Sequence, residues 1–125
     1  MSSNIKIGYH CSHEQFRPST LVRLAQRAEQ AGFTAGLSSD HFHPSVLTDL
    51  RRPAQFDTLG QHVQPEELAG KIRISSDVSR HLAWIEEDLQ LGFTEVYLHN
   101  VNREQEQFID TFGEKVLPQL GAARR

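Results

Sequence analysis

"IKIGYHCSHEQFRPSTLVRLAQRAEQAGFTAGLSSDHFHP", residues 5–44, decides the fold, because it holds a strand, a helix and a second strand in succession. Residues 5–10 alternate and carry β-branched side chains, the pattern of a strand, and the polar residues 11–15 form a loop at its C-terminal end. Pro18 suits a first helical turn; Leu21, Leu24, Ala25 and Ala28 recur on one helical face, and Gly32 supplies the stop. Residues 34–38 read as the next strand, so the chain opens β, α, β.

Working outward, the same order recurs near the C-terminus. Asp77 is placed to cap a helix whose Val78, Leu82, Ile85 and Leu89 share one side, and Gly92 ends it before the strand Glu95-Val96-Tyr97-Leu98-His99. Gly32-Phe33-Thr34 and Gly92-Phe93-Thr94 mark equivalent joints, each phenylalanine expected to pack under the strand that follows. Ile72-Arg73-Ile74-Ser75 alternates and predicts a further strand. Asn102 and Gln105 form a capping-box pattern ahead of a helix lined by Phe108, Ile109, Phe112, Val116 and Leu120. Between the halves, Pro53 and Pro65 stand at plausible helix starts and Gly70 at a stop, which predicts one or two short helices.

Four strands alternating with helices predict a parallel sheet with its helices outside. At 125 residues the chain reads as one domain, in three blocks: 1–44, a helical connection 45–71, and 72–125. That is room for half of a barrel of typical length ~250 residues. The net charge of −3 and the lack of a long basic run argue against a nucleic-acid partner. No apolar stretch approaches the ~20 residues of a membrane span, the N-terminus has no secretory pattern, and Cys11 is the sole cysteine. The expectation is a soluble cytoplasmic protein.

Two blocks carry a family resemblance. The stretch from Ile7 to Pro44 resembles the opening of luciferase-like oxidoreductases, in particular the branch of deazaflavin-dependent glucose-6-phosphate dehydrogenases. "RISSDVSRHLAWIEEDLQLGFTEVYLHNVNREQEQFIDTFGEKVLP", residues 73–118, is similar to the closing part of the same proteins. The resemblance implies the first, second, seventh and eighth strands of an eight-stranded (β/α) barrel, with the middle missing. Two such half-barrels would complete a ring as a homodimer, covering the edges and the apolar face that one half leaves open. Within one chain, either short connections keep sequential strands adjacent, or the long 45–71 link crosses over and sets the last strand beside the first.

Parallel barrels place their sites at the C-terminal strand ends, where Asp40 and His41 stand. The resemblance implies His41 as catalytic acid or base and Asp40 as a residue against the cofactor. It also aligns Lys71 with a basic residue that handles substrate phosphate. The implied cofactor is flavin mononucleotide or a deazaflavin, the partner a small-molecule substrate, and the reaction hydride transfer or monooxygenation. This sequence departs from the dehydrogenases where a tryptophan is expected shortly after Asp-His-Phe: Ser45 follows Pro44. The missing middle would also supply most cofactor contacts. The alternative is therefore a half-barrel without bound cofactor, whose property is assembly. His10, His13, His41, His43 and His99 gather toward the strand ends in no metal-ligand spacing, so no metal is assigned. Cys11 has no base beside it in sequence and is not taken as a nucleophile.

Overall fold

The alternation of the first residues becomes strand β1 (Lys6–Cys11), followed by helix α1 (Pro18–Ala31) and strand β2 (Ala35–Ser38). Then come the short helix α2 (Pro65–Leu68), helix α3 (Val78–Gln90), strand β3 (Glu95–Leu98), and helices α4 (Gln105–Lys115) and α5 (Leu117–Ala122). The structure, a computed structural model, describes residues 5–13, 15–39, 62–68 and 70–122. They fall into two units, one from residues 1–39 and 75–125, the other from residues 40–74.

The first unit is built on a three-stranded parallel sheet in the order β2-β1-β3. β1 is central, with Gly8 opposite Ala35 on one side and Tyr97 on the other. Of the two arrangements left open by the sequence, the last strand lies beside the first within one chain. Ile7, Tyr9 and Cys11 point to the helical side, where they join Leu21, Leu24 and Ala28 of α1 in one core with Ile85, Leu89, Ile109, Phe112, Val116 and Leu120. The alternate β1 residues face the other way, as strand geometry requires.

The caps follow the sequence in most places. Gly32 takes φ 104° and closes α1, its N–H donating to the Glu29 carbonyl at 3.1 Å. Asp77 caps α3, its Oδ1 accepting from the Ser79 N–H at 2.9 Å and the Ser79 hydroxyl at 2.7 Å. Those two bonds favour the charged form and hold its carboxyl below the usual range. The Gly-Phe-Thr joints are not equivalent, however. Phe33 is buried in the core, whereas Phe93 is 58 % exposed.

The predicted strand at residues 72–75 does not form; Ile72 makes an isolated bridge and the next three residues are irregular. The backbone explains it. Gly70 adopts φ 80° after α2, and the N–H groups of Lys71 and Ile72 both donate back to the Leu68 carbonyl, at 2.9 and 3.2 Å. The chain leaves a turn rather than entering a ladder, and Ile74 stays 73 % exposed. The described residues therefore hold three strands of a parallel α/β fold, consistent with part of a (β/α) barrel, rather than four.

On the helical side α1 packs against α4. Arg27 donates through Nε and Nη2 to the two carboxylate oxygens of Asp110, at 2.8 and 2.7 Å, a bidentate pair that holds Asp110 below the usual carboxylate range. One turn along, Gly113 meets the end of α1 so closely that a Cβ would lie 2.6 Å from the Ala31 carbonyl oxygen and 2.7 Å from its Cβ. Intrinsic helix propensity favours alanine over glycine by about 1 kcal/mol in a helix interior, yet overpacking against backbone costs about 1–3 kcal/mol. Gly113→Ala is thus expected to lower stability in urea denaturation. A rise would mean that the two helices separate at little cost.

Candidate active site

The sheet face turned away from the helices carries residues in layers, set by the parallel register. Lys6 and Glu95 form the first, an ion pair at 2.8 Å between half-exposed side chains. Gly8, Ala35 and Tyr97 form the second. Here the Tyr97 ring crosses directly over Gly8, where a Cβ would stand 2.3 Å from Tyr97 Cδ1. The third, at the C-terminal end, holds His10, Leu37 and His99; the two imidazole rings lie 4.2 Å apart. Leu37 is 46 % and Tyr97 38 % exposed, so this face is open in the described residues.

Polar groups crowd the strand ends above it. The His13 ring is 2.7 Å from the Ser38 hydroxyl, and the Ser39 N–H donates to the Cys11 carbonyl at 3.3 Å, tying the loop after β1 to the end of β2. Ser12, 4 % exposed, keeps a buried hydroxyl with no hydrogen-bond partner among the described residues. A small cavity of about 200 Å³ opens beside the β3–α4 loop, between the first turns of α3 and α4, lined by Ser75, His81, Asn100, Asn102 and Phe112 among others. The larger cavity, about 440 Å³, lies on the helical side between α1 and β2 and is mostly apolar. The chemistry-bearing residues are at the strand ends.

One residue that organises this end is Gln105, which the sequence reading placed in a capping box. Its side chain does not cap α4. Instead Oε1 accepts from the Tyr9 hydroxyl at 2.8 Å, while Nε2 donates to the Asn100 carbonyl at 2.8 Å and to the Asn102 carbonyl. The loop after β3 is thereby tied to the middle of β1 through a buried amide. Burial first, and then the charge of a Cys11 thiolate, push the Tyr9 phenol up to about 12. Burial also pushes the Cys11 thiol up, which disfavours the thiolate a nucleophile needs.

Of the residues predicted from sequence, Asp40 and His41 lie outside the described residues, as does His43. Lys71 belongs to the 40–74 unit, exposed, in the turn that ends α2. The structure does bring His10 and His99 together and sets His13 on Ser38.

No family model matches the chain, nor does any solved structure. Curated proteins do. The F420-dependent glucose-6-phosphate dehydrogenase of Microbacterium testaceum is 26% identical over 116 residues, 93% of this chain and 30% of that protein. Its namesake from Segniliparus rotundus is 43% identical over 60 residues, 48% of this chain and 18% of the relative. The Mycolicibacterium smegmatis protein of that name is 50% identical over 42 residues, 34% and 12% of the two chains. The similarity is to deazaflavin-dependent oxidoreductases. Flavin mononucleotide, the other cofactor expected, appears in none of these names. The chain spans less than a third of the length of these relatives. Among the described residues, no helix is long and apolar enough to cross a membrane.

Proposed function

We propose that the chain carries strand-end elements of a deazaflavin-dependent oxidoreductase that moves a hydride between F420 and a small-molecule substrate. The observation that carries this reading is the similarity, across 93% of the chain, to a protein named an F420-dependent dehydrogenase. The sheet face away from the helices, open among the described residues, supports it: exposed Leu37 and Tyr97 offer apolar surface to a planar ring, and the Ser12 hydroxyl past the end of β1 has no partner among those residues. When bound, F420 supplies the ring carbon that takes or gives the hydride, which no side chain can do.

The chain's own work is proton handling and orientation. With an alcohol substrate, His41 would accept the hydroxyl proton and Asp40 would help hold the cofactor, which would take the hydride. A sugar phosphate is the finer substrate reading, with Lys71 on the phosphate. Ser45, standing where the dehydrogenases are expected to place a tryptophan, makes this the first element to test.

The experiment is a titration of F420 followed by its fluorescence, with flavin mononucleotide as the contrast ligand and solution mass read by light scattering. Wild type should bind F420 in preference. His41→Ala should keep F420 affinity and lose turnover with glucose-6-phosphate. Absence of F420 binding would remove the enzyme reading. A second reading then stands on its own observation, because among the described residues the three strands have one open face and two unpaired edges. In that reading two copies pair as a homodimer without cofactor, which predicts a colourless dimer.

A further inference from the structure

The imidazoles of His10 and His99 are far apart in sequence, so no ligand spacing announces them. They meet because β1 and β3 pair in parallel. Tyr9 stands opposite Leu98, and one residue further on His10 and His99 project from neighbouring strands on the same face, with ring centroids 4.2 Å apart. The β1–β3 ladder ends one residue before them, at Tyr9 and Leu98, so His99 stands just past the end of β3, exposed. Ser12, two residues past His10, has a buried hydroxyl with no partner among the described residues, the type of group that a bound ion or its water satisfies.

We propose that His10 and His99 together bind a borderline divalent transition-metal ion, Zn²⁺, Ni²⁺ or Cu²⁺, as a two-imidazole site at the strand ends. Neutral imidazole suits these ions, whereas Mg²⁺ and Ca²⁺ prefer oxygen donors. Among the described residues no third histidine, cysteine, aspartate or glutamate joins the pair. The pair therefore offers two protein ligands, one fewer than catalytic zinc sites keep, and leaves the remaining positions to water. The proposal rests on strand register and stands apart from the deazaflavin reading.

The test uses the metal ions alone. An ion that binds the folded chain and not the unfolded one raises the melting temperature. Zn²⁺ and Ni²⁺ should raise it in wild type and Mg²⁺ should not. Once one imidazole is engaged the second binds intramolecularly, so His99→Gln should weaken apparent affinity about tenfold or more. His13→Gln and His81→Gln should leave it unchanged, and in NMR the His10 and His99 ring signals should move together during a Zn²⁺ titration. His99 is exposed, so its variant should fold even where His10→Gln does not. A wild type indifferent to Zn²⁺ and Ni²⁺, or a thermal rise that survives His99→Gln, overturns the assignment.

Discussion

Tyr9→Ala is expected to be among the most damaging single substitutions in the chain, at about 3–5 kcal/mol, the range for removing a buried aromatic ring. Tyr9 is 2 % exposed in the central strand, edge-on to Phe33 at 6.0 Å and tilted against Phe108 at 6.5 Å. Truncation opens a cavity where the sheet meets α4. It also strands Gln105, whose Oε1 loses its donor while Nε2 still holds the loop carbonyls. Leaving a buried polar group unpaired adds about 1–3 kcal/mol, so a domain of ordinary stability would lose much of its margin.

Tyr9→Phe separates the two contributions. It keeps the ring and removes the hydroxyl, so it should cost only about 1–3 kcal/mol. It should also speed amide exchange in residues 99–104, the loop that Gln105 ties down. Urea denaturation of both variants, with hydrogen exchange on the second, decides the matter. Equal losses would show that the hydroxyl and not the packing dominates; a silent Tyr9→Phe would show that the Gln105 bond contributes nothing.

This residue also marks the limits of the sequence. Alternation in residues 5–10 was enough to read a strand, though not which of its faces the core takes, and helical spacing was enough for Leu21, Leu24, Ala28, Ile85, Leu89, Ile109 and Phe112. Such patterns are legible because burial imposes a period on a local segment. Partners distant in sequence are not legible in that way. Gln105 three residues after Asn102 matched a capping box, yet a buried phenol from β1 competes for the same amide and wins. The His10–His99 contact depends on which strand lies beside β1, a choice the loop lengths left open. Residues 72–75 show the converse failure: alternation alone suggested a strand, but the turn at Gly70 takes the N–H groups that would have begun it. As for the candidate site, Asp40 and His41 rest on resemblance and lie outside the described residues; β2 itself ends at Ser38.

Raising the pH should expose the Tyr9 interaction from another direction. Its folded-state pKa, about 12, lies above the ordinary value of 10.0. The neutral phenol is therefore favoured more in the folded than in the unfolded chain. Stability from this group is fully present below about pH 10, where both states are protonated. Above that, the unfolded state releases its proton first, and the contribution falls until the folded phenol also ionises near pH 12. Two units correspond to about 3 kcal/mol, enough to move a denaturation midpoint clearly. The buried Cys11 thiol, also pushed up, adds a decline of the same sign from its own ordinary value of 9.0. Ionisation has a local consequence too, because a phenolate cannot donate to Gln105 Oε1. The amide must turn its Nε2 toward Tyr9, and the carbonyls of Asn100 and Asn102 are then released. Loosening of the loop after β3 should accompany the stability loss rather than precede it. Denaturation midpoints measured from pH 8 to 12 should fall steeply in wild type and less steeply in Tyr9→Phe. Identical slopes would place the titrating group elsewhere and detach the strand-end loop from the core.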